Sequence, residues 1–75
     1  MSVEEHGISV DQMSALIDKW IFNARNRAIM KRRLCDGSIY DQIAEEFEMS
    51  DRQIKRIVYK EQERLFKHIK EVTEN

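Results

Sequence analysis

The chain has 75 residues, of which 41% are hydrophobic and 36% charged, and its formal net charge at pH 7 is −1. This length supports one domain with a modest core, and the composition is typical of a globular chain. With one cysteine and no apolar run of about 18 residues, the sequence excludes a disulfide scaffold, a cysteine-rich zinc site and a membrane span. We therefore expect a cytoplasmic protein, and the absence of proline favours a few helices.

The charges are distributed unevenly along the sequence. Residues 25–70 carry twelve Lys or Arg against eight Asp or Glu, a local charge of +4, whereas residues 1–24 carry −3 and residues 71–75 carry −2. A basic face can bind nucleic acid in a protein of near-zero net charge, because the local field matters more than the sum. Ordinary solvated surface charge would give the same pattern, so charge alone does not decide between the two.

The first helix is predicted over about residues 10–22. Residues 1–8 have little pattern and are expected to form a flexible N-terminus, followed by a single domain over residues 9–73. Ser9 and Gln12 match a capping box, which predicts that the helix begins directly after Ser9. Its apolar face recurs at helical spacing and comprises Met13, Leu16, Ile17, Trp20 and Ile21.

A second helix is predicted over about residues 24–35. Asn23 can cap it, and we expect a break there because one continuous helix would spread the apolar stripe around the cylinder. Gly37 is a good terminator, since glycine adopts the left-handed conformation without steric cost. The basic side comprises Arg25, Arg27, Lys31, Arg32 and Arg33, and the apolar side comprises Ala24, Ala28, Ile29 and Leu34. The basic run is a candidate phosphate contact or, equally, a charged face that keeps the domain soluble.

The third and fourth helices are predicted over about residues 39–47 and 50–72. Ser38, with Asp41 three residues on, is expected to cap the third helix, and Ser50 to cap the fourth. The fourth helix would be on the order of 30 Å long. The apolar face of the third comprises Tyr40, Ile43, Ala44 and Phe47, and that of the fourth comprises Ile54, Ile57, Val58, Leu65, Ile69 and Val72.

These two helices match the requirements of a helix-turn-helix. In the first helix, the motif needs a small residue where the two helices cross, with apolar residues one position before it and three positions after it. It also needs an apolar residue in the turn and two inward-facing apolar residues, three positions apart, on the second helix. The sequence meets these requirements in one register with Ala44, Ile43, Phe47, Met49, Ile54 and Ile57. The predicted fold class is all-α, a four-helix domain with a tri-helical helix-turn-helix.

The outward face of the fourth helix follows from this register and is a candidate DNA-binding surface. Arginine can bond two acceptors on a guanine edge, whereas lysine and serine suit phosphates. The predicted base contacts are Arg52, Gln53, Lys55, Arg56 and Tyr59. The predicted phosphate contacts are Lys31, Arg32, Arg33, Ser38, Tyr40, Ser50 and Lys60. A generic solvated helix face is the alternative, and the matched first helix and turn favour DNA.

A longer pattern surrounds this motif. It consists of Gly37, Tyr40-Asp41-Gln42-Ile43-Ala44, Phe47-Glu48-Met49-Ser50, Arg52-Gln53-Ile54-Lys55-Arg56-Ile57, Lys60 and Leu65, with the basic run KRRL upstream at residues 31–34. The pattern resembles region four of the bacterial sigma factors, and short free-standing versions look like phage or mobile-element regulators. The resemblance implies a transcription regulator that binds double-stranded DNA and has RNA polymerase as a second candidate partner.

The chain departs from that family at two positions. Ile39 stands where family members commonly have Ser or Thr before the aromatic residue, so that capping would come from Ser38. Glu48 stands where they often have Gly, and it should tolerate the turn less well. The sequence contains no other sigma region, so by itself it would not melt or span a promoter.

Two other function classes stay open. One is a protein-interaction module, for example one that binds RNA polymerase, in which Arg52, Lys55 and Arg56 would meet an acidic protein surface. The other is the DNA-recognition part of a phage packaging complex, which would require a ring-forming oligomer. We expect no enzyme, cofactor or metal, because His6 and His68 lack ligand spacing and no nucleophile–base arrangement is visible.

The first helix and the end of the fourth each need a partner for an apolar stripe. We expect the two stripes to pack together within one chain, which would give a monomer. Alternatively, the fourth helix packs against a second copy, and a homodimer would place two DNA-binding helices about 34 Å apart.

Overall fold

The computed structural model describes residues 7–69, and this part of the chain contains four α-helices and no β-strand. The helices are α1 (Val10–Trp20), α2 (Ala24–Leu34), α3 (Tyr40–Phe47) and α4 (Asp51–Phe66). The predicted all-α, four-helix fold class is confirmed. The break after the first helix is confirmed as well, since residues 21–23 are not helical. None of these helices is long and apolar enough to cross a bilayer.

Side-chain caps begin three of the helices, as predicted. The backbone N–H of Ser9 donates to Oε1 of Gln12 (2.8 Å), and the N–H of Gln12 donates back to Oγ of Ser9 (3.1 Å). Ser50 and Gln53 form the same capping box at the start of α4, with distances of 2.9 and 3.2 Å. Asn23 accepts a backbone N–H in the first turn of α2. Each cap typically contributes about 1 kcal/mol.

Helix α3 begins without a side-chain cap, so the prediction that Ser38 caps it is wrong. The N-cap position is Ile39, whose aliphatic side chain accepts no hydrogen bond. Gly37 takes a positive φ of 71°, and the chain leaves this turn with Ser38 one residue ahead of the cap position. Ser38 uses its backbone instead: its N–H donates to the carbonyl of Arg32 (2.9 Å), and its carbonyl accepts from Arg33 (3.1 Å).

The turn between α3 and α4 is a Schellman motif centred on Glu48. The N–H of Glu48 donates to the carbonyl of Glu45 (3.3 Å), and the N–H of Met49 donates to the carbonyl of Ala44 (2.9 Å). This pattern requires a left-handed residue, and Glu48 adopts φ 55° and ψ 45°. Glutamate therefore holds a backbone conformation that glycine adopts at lower steric cost.

One hydrophobic core receives side chains from all four helices. Its buried members are Ile8, Met13, Leu16, Ile17, Ile21, Ile29, Met30, Leu34, Ile43, Ala44, Ile54, Val58, Leu65 and Ile69. Partly buried residues pack around it, namely Trp20, Cys35, Tyr40, Phe47, Met49 and Ile57. The predicted inward positions of the α3–α4 pair are therefore confirmed. On α2 the buried side is Ile29, Met30 and Leu34, and the expectation that Ala24 and Ala28 join it is wrong, since both are exposed.

The ordered core extends further toward the N-terminus than predicted. Ile8, expected in the flexible segment, is only 5% exposed and belongs to the core. Ile8 precedes the cap residue Ser9, and Met13 lies at the fourth helical position. An apolar pair at these two positions forms a hydrophobic staple, which fixes the direction of entry into α1. The remainder of the predicted flexible segment, residues 1–6, lies outside the described residues.

Helix α4 ends at Phe66, so the prediction that it continues to about residue 72 is wrong. His68 donates its backbone N–H to the carbonyl of Leu65 (2.9 Å), which tightens the chain into a turn. The turn stacks the His68 ring on Trp20 and buries Ile69, and these contacts compete with a further helical turn. The apolar stripes of α1 and α4 are thus buried against each other within one chain, as expected. Val72 lies outside the described residues.

Candidate functional site

The outer face of α4 carries a row of exposed polar side chains. The core-facing residues Ile54 and Val58 fix the rotation of the helix, so that the opposite positions point to solvent. These exposed positions are Arg52, Gln53, Lys55, Arg56, Tyr59 and Lys60. From the first to the last, the row extends about 12 Å along the helix axis. Five residues of this end of the helix, Asp51, Arg52, Lys55, Arg56 and Tyr59, line an open groove of about 450 Å³.

The cations in this row have few intramolecular partners. Within residues 7–69, none of Arg52, Lys55, Arg56 and Lys60 forms an ion pair with a carboxylate. Elsewhere in the described chain, Lys31, Arg32 and Arg64 do so. Residues 51–60 carry these four cations and one carboxylate, Asp51, so this segment of α4 has a net charge of +3.

Two of the predicted phosphate contacts on α2 are paired within the domain. The ammonium of Lys31 lies 2.7 Å from a carboxylate oxygen of Asp18 on α1. Arg32 binds Glu46 of α3 with two nitrogens, at 3.0 and 2.9 Å, and binds Asp36 at 2.9 Å. The hydrogen bonds to Glu46 and Asp36 raise the pKa of Arg32 above its ordinary value. Both side chains thus connect helices, and an anion would have to compete with these carboxylates.

Arg33, Tyr40 and Lys55 come together where α2, α3 and α4 meet. The guanidinium carbon of Arg33 lies 4.3 Å from the centre of the Tyr40 ring, and the ammonium of Lys55 lies 5.5 Å from it. Both distances are within the range of cation–π contacts. Arg33 also donates to the carbonyl of Ser38, which fixes its position. Tyr40 is half-buried, as its place on the apolar face of α3 predicted.

Two acidic side chains adjoin the basic row. Asp51 begins α4 and lines the groove, and Asp41 lies in the first turn of α3. A side-chain hydrogen bond to Asp41, partial desolvation and the charge of Asp41 raise the pKa of Asp51, while Lys55 opposes the shift. Each of the two carboxyl groups therefore makes ionisation of the other less favourable.

Comparisons with protein-family models, curated proteins and solved structures give no match to this chain. The similarity to region four of the sigma factors therefore rests on the residues quoted above and stays a prediction. The geometry of the predicted residues decides what the site can do.

Three of the predicted DNA contacts, Gln53, Ser50 and Ser38, already form hydrogen bonds within the domain. The side-chain oxygen of Gln53 accepts the N–H and the hydroxyl of Ser50, at 2.9 and 3.2 Å. The Ser50 hydroxyl oxygen in turn accepts the N–H of Gln53. The capping box leaves the amide nitrogen of Gln53 as its donor to a ligand, so Arg52 and Arg56 are better placed to bond a base edge. Ser38 offers backbone groups that already have partners within the domain.

Three structural features were missed in the sequence analysis. Arg27 donates to the backbone carbonyls of Ile21 and Phe22, both at 3.1 Å, and so supplies hydrogen bonds to carbonyls directly after α1. Glu61 is buried on α4 and lies 3.7 Å from Arg64, and no periodicity marks a charged residue as inward-facing. Arg32 and Glu46 are 14 residues apart, a separation at which sequence carries no pairing signal. In the part of the chain described, no three His, Cys, Asp or Glu side chains are grouped to hold a metal ion.

Proposed function

We propose that this protein binds double-stranded DNA in a sequence-specific manner and regulates transcription, with α3 and α4 acting as a helix-turn-helix. One observation carries the proposal: Arg52, Lys55, Arg56 and Lys60 share the exposed face of α4 without an ion pair in residues 7–69. The major groove of DNA is about 12 Å wide and admits an α-helix, and this row, about 12 Å long, can lie along it.

The row divides into two kinds of contact by chemistry. Arg52 and Arg56 lie one helical turn apart, and each guanidinium can bond two acceptors of a guanine edge. The Tyr59 side chain, 57% exposed, offers an apolar surface to a thymine methyl group. Lys60 lies at the end of the row, where it suits a phosphate. Phosphate contacts from Lys31 and Arg32 would first require their carboxylate partners to be displaced.

One such helix covers only part of a regulatory site. A row of about 12 Å spans about four base pairs at 3.4 Å each. A longer site would need a second copy of the chain, or a partner already on the DNA, such as RNA polymerase. Such a regulator would act in the cytoplasm of a bacterial cell, where the single Cys35 stays reduced.

The proposal is tested by titrating a labelled random-sequence duplex of about 20 base pairs with the protein and following fluorescence anisotropy. We expect binding that weakens steeply between about 50 and 200 mM salt, as phosphate contacts require. Arg56→Glu should reduce affinity at least about tenfold. Lys67→Glu makes the same charge change at an exposed position beyond α4 and should reduce it by less than about threefold. Equal losses in both variants, or no salt-dependent binding, would contradict the proposal.

A second candidate is a protein-interaction module. Phe22 is 72% exposed, and Phe is among the residue types that are enriched in the cores of protein–protein interfaces. On this interpretation the α4 cations would meet an acidic protein surface. Duplex binding that depends on salt and on Arg56 would support the DNA-binding proposal. If the protein does not bind the duplex, the protein-interaction module is favoured instead.

A further inference from the structure

The cluster of Arg33, Tyr40 and Lys55 places two positive charges beside one phenol ring. The charges lie 4.3 and 5.5 Å from the ring centre, so they are separated by no more than the Debye length at 0.1 M salt, about 10 Å. Each attracts the negative face of the ring, but the two repel each other. An anion beside both of them would convert that repulsion into attraction.

The three side chains also arrive from three different helices. Arg33 is at the end of α2, Tyr40 at the start of α3 and Lys55 in the second turn of α4. The hydrogen bond from Arg33 to the Ser38 carbonyl uses one guanidinium nitrogen at 3.1 Å and leaves other donors of this group available. The Tyr40 ring is half-buried, so its hydroxyl is held in place by the packing of the domain.

We infer that Arg33, Tyr40 and Lys55 form a single binding site for one phosphate of the DNA backbone. This inference rests on the proposed function and changes one assignment within it. Lys55 becomes a sequence-independent phosphate contact, whereas the sequence analysis assigned it to a base. Base recognition is left to Arg52 and Arg56, whose side chains have no comparable contact within residues 7–69.

The chemistry of the site fits a phosphate better than a base. A phosphate diester offers two charged oxygens to two cations and a further acceptor to a phenol hydroxyl. A base edge in the major groove carries no net charge, so it would not relieve the repulsion between Arg33 and Lys55. Arg33, Tyr40 and Lys55 belong to three different helices, so a phosphate bound by all three would also orient the domain on DNA.

The test compares salt dependence with base preference. Affinity for the random-sequence duplex is measured from about 50 to 200 mM salt for wild type, R33A, K55A and the double variant R33A/K55A. Each contacted phosphate contributes about 0.9 to the slope of log affinity against log salt. We expect the double variant to lose about 0.9 in total, because both cations act on one phosphate. A loss of about 1.8 would indicate two separate phosphates and would overturn the inference.

Base preference is measured by sequencing the fraction of a random duplex library that each variant retains. We expect K55A and Y40F to weaken binding while keeping the wild-type preference, and R56A to change the preference. If K55A changes the preference as R56A does, Lys55 contacts a base and the inference is wrong although the proposed function stands. If wild type shows no salt-dependent binding at all, the proposed function fails, and this site fails with it.

Discussion

The imidazole of His68 stacks on the indole of Trp20, with ring centres 3.5 Å apart and planes inclined by 5°. The contact joins the turn after α4 to the last residue of α1, and Lys19 approaches the same indole at 5.2 Å. It closes the domain at the end opposite the α4 cap. It also explains why α4 stops at Phe66, since a helical continuation would change the position of His68.

Removing this stack should destabilise the domain. We expect His68→Ala to lower the free energy of unfolding by about 0.5–1.5 kcal/mol, the range for stacked aromatic pairs. Urea unfolding followed by circular dichroism measures this loss, and the fluorescence of Trp20, the only tryptophan, reports the change at the stack itself. Lys67→Ala changes an exposed neighbour in the same turn and should have little effect. Identical unfolding curves for His68→Ala and wild type would show that the stack contributes no stability.

The positive φ of Glu48 predicts a substitution that stabilises the domain. A non-glycine residue in the left-handed region is destabilised by about 1–2 kcal/mol. Glycine avoids this steric cost but loses about 0.5–1 kcal/mol more conformational entropy on folding. We expect Glu48→Gly to stabilise the domain by about 0.5–1 kcal/mol in urea unfolding. Glu45→Gly removes the same charge from the exposed side of α3 and should destabilise it by a similar amount. If Glu48→Gly destabilises the domain, the positive φ of Glu48 does not carry the expected steric cost.

Much of this fold could be predicted from the sequence because its signals are local. The caps at Ser9 and Ser50 are predicted from residues close by in the sequence, and the apolar periodicity fixes which side of α4 faces the core. The failures occur where tertiary contacts decide. Helix α4 ends early because His68 stacks on Trp20, and the N-cap position of α3 falls on Ile39 because the turn at Gly37 sets the register.

The candidate site shows the same division between local features, which could be predicted, and tertiary contacts, which could not. The exposed row on α4 follows from the buried positions of the same helix, so Arg52 and Arg56 could be placed in advance. The ion-pair partners of Lys31 and Arg32 could not be predicted, because Asp18 and Glu46 lie on other helices and no local sequence pattern indicates these contacts. The positions of the basic residues are therefore predictable from the sequence, whereas their pairing with carboxylates on other helices is not.

Asp41 should control the titration of Asp51. The hydrogen bond to Asp41 and the repulsion between the two carboxylates raise the pKa of Asp51 in the folded state. A raised carboxyl pKa adds stability that is complete below the ordinary value of 3.8 and is lost as the pH rises through the raised value. We expect Asp41→Asn to lower the pKa of Asp51, measured by carboxyl NMR titration, and to reduce this loss of stability between acid and neutral pH.

The control for this titration is Glu45→Gln, which removes a charge from an exposed position of the same helix. It should leave the titration of Asp51 unchanged. An Asp51 pKa that is the same in Asp41→Asn and in wild type would exclude the carboxylate pair as the cause of the shift.

Arg32 should matter for stability more than for DNA. Its guanidinium connects α2 to α3 through Glu46, so Arg32→Ala should lower the urea midpoint slightly, and high salt should reduce the difference. Arg25→Ala changes an exposed arginine whose side chain donates to its neighbour Asn26, and it should leave the midpoint unchanged. The slope of DNA affinity against salt should fall less in Arg32→Ala than in Arg33→Ala. A larger fall in Arg32→Ala would make Arg32 a phosphate contact.

The central claim is that the exposed face of α4 binds duplex DNA. An amide NMR titration with a random-sequence duplex, at about 50 and then about 200 mM salt, tests it residue by residue. We predict shifts from Arg52 to Lys60 and at Arg33 and Tyr40, which fade at the higher salt, while α1 stays unperturbed. Shifts confined to α1, or no shifts at about 50 mM salt, would contradict the claim.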